Sequence, residues 1–163
     1  MRTISPPAGS GLAAQARALR ERLIVLARDR SLRDPLSAAC EVTGLSPAQI
    51  HTLLWLGRDG ALAMGDLARR VRVTEKTATG LVDRLERDGL VHRERDVRDR
   101  RVVHVRLTAR GTAHHRRIEA GLHEGMTRFL GLLEPADRRA VFRIVERLIA
   151  RLGRKAPPGT RVP

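Results

Sequence analysis

The residues best suited to binding chemistry lie between positions 74 and 101 of this 163-residue chain. Hydroxyl groups, a lysine and a glycine come first, and arginines follow them. Hydroxyl and ammonium groups can hydrogen-bond to nucleic acid base edges, whereas arginines suit phosphates. Because the sequence has no asparagine, the common pairing of asparagine with adenine is excluded. The candidate nucleic-acid-binding set is Thr74, Glu75, Lys76, Thr77, Thr79 and Gly80, which could read bases, and Arg84, which suits phosphates.

A second charged segment follows, between two stretches that alternate with the period of a β-strand. The stretches are 90–95 and 101–107, and the predicted hairpin tip between them holds Arg98, Asp99, Arg100 and Arg101. An arginine at such a tip can enter the narrow, negatively charged minor groove. We expect Asp99 to pair with a neighbouring arginine and hold its guanidinium in place. The alternative is a polar loop that neutralises its own charges.

The composition of the whole chain agrees with a polyanionic partner. The net charge is +14, and 32 residues are basic, of which only Lys76 and Lys155 are lysines. The stretch from Arg58 to Arg117 holds 16 basic and 9 acidic residues, which is half of the net charge. Arginine forks onto phosphate oxygens or guanine edges, whereas lysine offers a point charge. The excess therefore favours nucleic acid as the partner.

Two short helices are predicted to position the base-reading residues. The first covers about residues 64–71, and the second begins after a Thr74 cap and ends before Gly89. Ala78, Leu81, Val82 and Leu85 claim the inward face of the second helix. Two short helices, a tight turn and a charged hairpin are typical of a winged helix-turn-helix, whose second helix enters the major groove.

The rest of the chain is predicted to be helical. A stripe from Leu12 to Leu26 marks a first helix, and Asp34 can cap a short helix that starts at Pro35. Ser46 and Gln49 form a capping box for the next helix. A long helix follows Thr108 to about residue 131, and a last helix opens at Pro135 with another apolar stripe. The fold class is mainly α with a small β-hairpin wing, and the terminal stripes require partner helices.

Several function classes are excluded or disfavoured by the sequence. The single cysteine, Cys40, rules out an internal disulfide framework and any multi-cysteine zinc module. No apolar run approaches the roughly 20 residues that cross a bilayer, and the first eleven residues lack a secretory signal, so we expect a cytoplasmic protein. Nucleotide-binding and hydrolase motifs are missing, which argues against an enzyme, and no catalytic residue, metal ligand or cofactor is assigned.

Five segments of the sequence resemble the MarR family of bacterial transcription regulators: residues 44–49, 66–70, 73–91, 99–101 and 107–111. The resemblance implies a homodimer whose first, fifth and sixth helices interlock and whose two winged domains read a pseudo-palindromic operator in double-stranded DNA. Asp99 and Arg101 match the family's aspartate-x-arginine wing motif, so Arg101 is the expected minor-groove residue. Ala63 replaces a frequent helix cap, and Arg72 a frequent turn glycine.

The resemblance also implies a division of the chain. Residues 1–10 and 153–163 are expected to be disordered tails, 11–45 an N-terminal dimerisation helix broken near 29–35, 46–107 the DNA-binding domain, and 108–152 the C-terminal dimerisation helices. Many family members release DNA when a small lipophilic anion binds between the dimer helices and the winged domain. The residues that could line such a pocket here are His51, Trp55, Arg58 and His115. For Trp55 the alternative is a core residue.

These features predict a dimeric, sequence-specific repressor that a small ligand releases from DNA. One alternative is a sequence-neutral binder of DNA or structured RNA that uses charge without reading bases. Another is a regulator that senses redox conditions through the Cys40 thiol or that binds a metal ion. Cys40, His51 and His114 or His115 partly match the ligands of a zinc-binding branch of the family. Ile50 stands where that branch has a ligating glutamate, and Cys40 lies in an apolar stretch typical of an inert thiol.

Overall fold

The computed structural model describes residues 11–28, 34–97 and 99–153. The predicted terminal tails up to residue 10 and from residue 154, the predicted helix break at 29–33, and Arg98 lie outside the described residues; Gly153, assigned to the tail, ends the last helix. In chain order the elements are α1 (Leu12–Ala27), α2 (Pro35–Thr43), α3 (Pro47–Asp59), β1 (Leu62–Ala63), α4 (Met64–Val71), α5 (Glu75–Arg87), β2 (Val91–Arg95), β3 (Val103–Leu107), α6 (Ala109–Gly131) and α7 (Pro135–Gly153). The mainly helical fold with a small sheet is confirmed.

The start of α3 follows from a reciprocal pair of hydrogen bonds. The Ser46 hydroxyl accepts from the Gln49 amide at 3.4 Å, and the Gln49 side-chain oxygen accepts from the Ser46 amide at 2.9 Å. Two amides that the helix itself cannot satisfy are thereby bonded, and Pro47 occupies the first helical position, where no amide hydrogen is needed. The capping box that the sequence predicts is confirmed.

A side-chain cap also starts α2, at Asp34. The Ser37 hydroxyl and backbone amide donate to the Asp34 carboxylate at 2.7 and 3.0 Å. These two bonds, together with a weaker one from the Leu36 amide, hold the pKa of Asp34 below its ordinary value. The helix ends at Gly44, whose φ of 70° is left-handed and therefore suits glycine.

The core is one apolar cluster that lies mainly within the predicted winged domain. Leu45, and Ile118 of α6, also belong to it, and partly buried residues of α2 and α6 pack against it. The sheet has the order β1-β3-β2 and is antiparallel throughout. Its first strand, only two residues long, pairs Leu62 with Val105 and was not predicted, because two residues show no alternation. The fully buried side chains include Ile50, Leu53, Leu56, Leu67, Val82, Leu85, Val91, Val105 and Ile118.

The turn between α4 and α5 carries backbone strain. Arg72 has φ 59° and ψ 47°, a left-handed conformation that costs a non-glycine residue about 1–2 kcal/mol. Ala63 precedes α4 without a side-chain cap, as its residue type requires. The backbone conformation of Arg72 and the uncapped start of α4 after Ala63 are thus both locally unfavourable. The burial of Leu67 and Ala68 on α4 offsets that cost.

A close joint connects the end of the hairpin to the start of α6. The Thr108 amide donates to the Leu90 carbonyl at 3.1 Å, and the Thr108 hydroxyl donates to the Gly89 carbonyl at 2.7 Å. The same hydroxyl accepts from the Gly111 amide at 2.9 Å and so caps the helix. A Cβ atom on Gly111 would overlap the Leu90 carbonyl oxygen. Only glycine permits this approach.

The described residues fall into two compact units, one ending at Gly125 and the other starting at Met126. The division lies within α6, and the functional boundaries given above stay predictions. Neither α1 nor α7 has a buried residue. None of the helices in the described ranges is both long and apolar enough to span a membrane. The large apolar side chains exposed on these two helices are Leu12, Leu19, Leu23, Ile24, Val25, Leu26, Phe142, Ile144, Val145, Leu148, Ile149 and Leu152.

Candidate nucleic-acid interface

Helix α5 presents a polar face opposite its buried one. The Thr74 hydroxyl accepts from the Thr77 amide at 3.2 Å and starts the helix as predicted. Ala78, Leu81, Val82 and Leu85 are buried, so the remaining positions turn outward. The exposed members of the predicted set are Thr74, Glu75, Lys76, Thr77, Thr79 and Arg84, while Gly80 is half-buried. The structure therefore places this whole set on one helix and its cap, with Thr74 to Gly80 in the first turns and Arg84 in the last turn.

The hydroxyl groups on this face already have partners in their own helix. The Thr74 and Thr77 hydroxyl oxygens lie 2.9 Å apart, and the Thr79 hydroxyl donates to the Glu75 carbonyl at 2.9 Å. A hydroxyl has one hydrogen to donate, so Thr79 retains only acceptor capacity toward an outside group. The ammonium of Lys76, with three donors, is then the most adaptable group at this end of α5.

Arg93 of β2 joins the wing to α5. Its guanidinium donates to the Asp83 carboxylate at 2.7 Å and to the Glu86 carboxylate, and more weakly to the Thr79 carbonyl at 3.4 Å. Its backbone amide also donates to Glu86, at 3.0 Å. One guanidinium thus pairs with two acidic groups on the helix and holds the hairpin beside it. Sequence reasoning missed this residue, because its partners lie seven to fourteen positions away.

The hairpin tip is a tight turn held by backbone groups. The Asp96 amide donates to the Val102 carbonyl at 2.9 Å, and the Val102 amide donates to the Asp99 carbonyl at 2.9 Å. The Asp99 carboxylate accepts from the Arg101 backbone amide at 3.0 Å. Within the part of the tip that the structure describes, Asp99 therefore orders the Arg101 backbone, whereas we expected it to hold a guanidinium. Arg101 and Arg100 are exposed.

Beside α4 lies a cleft of about 570 Å³ with a basic and aromatic lining. The guanidinium carbons of Arg58 and Arg70 lie 5.3 and 4.9 Å from the centre of the Trp55 ring, within the range of cation–π attraction. Asp59 forms ion pairs with both arginines. Trp55 is half-buried and packs against the core from the edge of this cleft. The lining residues are His51, Leu54, Trp55, Arg58, Arg70, Val71, Arg72 and Glu119.

The cleft contains three of the four predicted pocket residues. His115, the fourth, is 8 % exposed and lies behind the cleft against Gly57, where a larger residue would collide with its ring. It reaches the lining only through Glu119, whose carboxylate oxygen is 3.4 Å from the His115 Nε2 atom. His115 is therefore buried against Gly57 and, contrary to expectation, is not among the residues that line this cleft.

The residues of the thiol and metal alternative do not form a site. Cys40 is half-buried and packs against the core. Among residues 11–28, 34–97 and 99–153, no group of three or more histidine, cysteine, aspartate or glutamate side chains is placed to hold a metal ion. No cluster of potential metal ligands within the described ranges therefore supports the metal alternative.

The family comparison matches the winged region just described. The MarR family model matches residues 45–103. The repressor Rv2887 of Mycobacterium tuberculosis is 32 % identical to this chain over 117 residues, which cover 72 % of this chain and 84 % of Rv2887. The matched family residues run from the core residue Leu45 through the hairpin tip to β3.

Solved structures share the same architecture. Streptococcus pneumoniae FabT, solved in complex with DNA, superposes with a TM-score of 0.72 at 20 % identity, covering 86 % of this chain and 99 % of FabT. Bordetella bronchiseptica BpsR, whose DNA binding is regulated by 6-hydroxynicotinic acid, gives a TM-score of 0.57 at 25 % identity, covering 82 % and 98 %. Given these matches to sequence and fold, the chain belongs to the MarR family of winged helix-turn-helix transcriptional regulators.

Proposed function

We propose that the protein is a homodimeric repressor that places α5 of each subunit in the major groove of a pseudo-palindromic operator and releases DNA when a small ligand binds. The observation that carries the proposal is the exposed polar face of α5, held beside an arginine-bearing hairpin by the Arg93 contacts. In this arrangement Lys76 and its neighbours face base edges, and Arg84 faces phosphates. Arg101 enters the adjacent minor groove.

The proposed dimer rests on the exposed apolar side chains of the terminal helices. Leu19 and Leu23 on α1 are 58 and 53 % exposed, and Leu148 and Leu152 on α7 are 51 and 67 % exposed. Exposed apolar side chains of this kind, on each helix taken by itself, mark an interaction surface. A second copy of the chain covers these side chains and sets the distance between the two α5 helices. Each half-site then lies about 10 base pairs from the other, centre to centre.

The proposed effector site is the cleft beside α4. Its lining comes from two parts of the domain. Helix α3 contributes Trp55 and Arg58, while α4 and the strained turn after it contribute Arg70 and Arg72. An aromatic face beside guanidinium groups suits an aromatic carboxylate, the class to which the BpsR ligand belongs. A ligand that binds one arrangement of these helices better than another shifts the population toward it and so changes DNA affinity.

The test of this function is selection of bound sequences from a random duplex pool at physiological salt. The proposal expects recovery of a sequence with inverted half-sites, bound at least a thousandfold more tightly than random duplex. A pool in which every duplex competes equally would favour the sequence-neutral alternative and contradict the proposal. We assign the protein no catalytic role, and we place its action in the cytoplasm, where the chromosome of a bacterium lies.

A further inference from the structure

Gly80 lies at the centre of the outward face of α5. It is four residues after Lys76 and four before Arg84, so the three residues line up along one side of the helix. Lys76 and Arg84 are both exposed. The buried residues Ala78 and Leu81 belong to the opposite side. If the first turns of α5 enter a groove, Lys76 and Gly80 therefore face its floor, and Arg84 at the other end of the line faces the phosphates.

Glycine at this position is not required by the fold. It is the least favourable residue for a helix interior apart from proline. Gly80 does not have the positive φ found at Gly44, Gly60 and Gly89, so its backbone suits any residue. A Cβ atom built on Gly80 would have no neighbour within 4 Å. Among the residues that the structure describes, none makes a contact that requires glycine at position 80.

Other glycines in the chain show the opposite situation. At Gly111 a Cβ atom would overlap the Leu90 carbonyl, and at Gly57 it would overlap the His115 ring. Those two glycines permit contacts that the fold uses. The neighbouring Thr79 side chain is exposed, but its hydroxyl already donates to the Glu75 carbonyl on its own helix. The helix backbone at Gly80 thus forms a shallow gap between Lys76 and Arg84.

We propose that Gly80 is the point at which α5 approaches the bases most closely, so that its missing side chain sets the depth of the helix in the major groove. The inference rests on the proposed function, since it requires α5 to read DNA. A methyl group at Gly80 would meet the base edges and hold the helix away from them. The hydrogen bonds of Lys76 to bases would then lengthen, whereas the longer-range attraction to phosphates would persist.

The experiment compares Gly80→Ala and Gly80→Leu with the wild-type dimer. Thermal unfolding is measured together with affinity for the selected duplex and for a random duplex. We expect Gly80→Ala to raise the Tm by about 2 °C, because alanine favours the helix. Its affinity for the selected duplex should fall at least tenfold, with that for random duplex unchanged within about twofold. Gly80→Leu should lose still more specific affinity.

The matched control is Gly121→Ala in α6. Gly121 is an exposed helical glycine, whereas Gly80 is half-buried. At both positions an added Cβ atom would have no neighbour within 4 Å, so the substitution should raise the Tm similarly. It should leave both DNA affinities and the dimer mass unchanged. Wild-type affinity for the selected duplex in Gly80→Ala would overturn the inference alone. A wild-type protein without preference for any duplex would overturn the proposed function and this inference with it.

Discussion

The Arg93 guanidinium on strand β2 lies 2.7 Å from the Asp83 carboxylate on α5, and the same group binds Glu86. The Arg93 side chain is 26 % exposed, so these contacts are partly shielded from water. Hydrogen bonds between charged partners in such a setting are stronger than those at a free surface. Arg93 therefore adds a polar tie between helix and hairpin to the buried packing of Leu85 with Val91 and Val105 in the core.

Replacing Arg93 should loosen the wing. We expect Arg93→Gln to lower the free energy of unfolding by about 1–2 kcal/mol, because Asp83 and Glu86 lose their shared partner. It should also weaken binding to the selected duplex. In a double-mutant cycle with Arg101→Ala the two losses should be less than additive, because a displaced wing no longer places Arg101 correctly.

The control for this cycle is Arg106→Gln, which removes one positive charge from the other strand. Arg106 pairs with Glu94 at 2.9 Å, and both side chains are more than half exposed, so this pair contributes little stability. Arg106→Gln should therefore lower the free energy of unfolding by less than about 1 kcal/mol. Full additivity between Arg93→Gln and Arg101→Ala would show that Arg93 does not position the wing.

The wing arginine and the helix lysine should differ in what they contribute to binding. Arg101→Ala should weaken binding to all duplexes and reduce the slope of log affinity against log salt by about one per subunit. Lys76→Ala should instead change which bases are preferred at one position of each half-site. Filter binding over a salt series and a repeated selection measure the two effects. Unchanged affinity in both variants would contradict these assignments.

The effector cleft can be observed through Trp55, the only tryptophan of the chain. Adding 6-hydroxynicotinic acid or another hydroxylated aromatic carboxylate should change the Trp55 emission and lower affinity for the selected duplex. Arg58→Ala should raise the ligand concentration needed for both effects, since it removes a cation next to the ring. Arg128→Ala on α6, outside the cleft lining, is the comparison variant. Emission unaffected by every carboxylate would count against this site.

The terminal helices should control assembly. Leu148→Glu places a charge on the exposed apolar side of α7 and should shift the mass measured by light scattering from twice 18.1 kDa toward a single chain. Cooperative binding to two half-sites should be lost with it. Arg147→Gln, a neighbouring exposed position, should remain dimeric. A wild-type protein of 18.1 kDa in solution would refute the dimer.

The cap of α2 should make stability depend on pH. The pKa of Asp34 is lowered in the folded chain, so the cap contributes stability above the ordinary pKa of aspartate and loses it as pH falls through the lowered value. Asp34→Ala should cost about 1 kcal/mol at pH 7, and the difference from wild type should shrink in acid. Urea unfolding at pH 7 and at about pH 3 measures this. A difference that persists in acid would exclude the carboxylate as its source.

Local signals explain why much of the fold was predictable. Ser46, Thr74 and Gly89 act within three or four residues of themselves, so the sequence alone reveals the helix boundaries that they set. The two-residue strand at Leu62 exists only because Val105 pairs with it, more than forty positions away. The role of Arg93 likewise depends on a tertiary contact. Long-range pairings of this kind leave no periodic trace in the sequence.

The candidate site was predictable to the same extent. The polar face of α5 follows from the spacing of Ala78, Leu81 and Leu85, which a helical period reveals. The burial of His115 could not be predicted from spacing in the same way, because it depends on the missing side chain of Gly57 on another helix. The bond of the Thr79 hydroxyl to the Glu75 carbonyl could not be predicted either, because it depends on a side-chain rotamer that spacing does not specify. That Thr79 reads bases stays a prediction.

Gly111 packs directly against the Leu90 carbonyl, so no flexible loop separates the hairpin from the first turn of α6. A tilt of that turn cannot be absorbed by a loop, because Thr108 bonds to both Gly89 and Leu90. The first turn of α6 and the base of the hairpin are therefore expected to move together as one rigid segment. Inserting a single flexible residue after Thr108 would uncouple the two segments while leaving the residues of α5 and of the hairpin tip, which we propose contact DNA, unchanged.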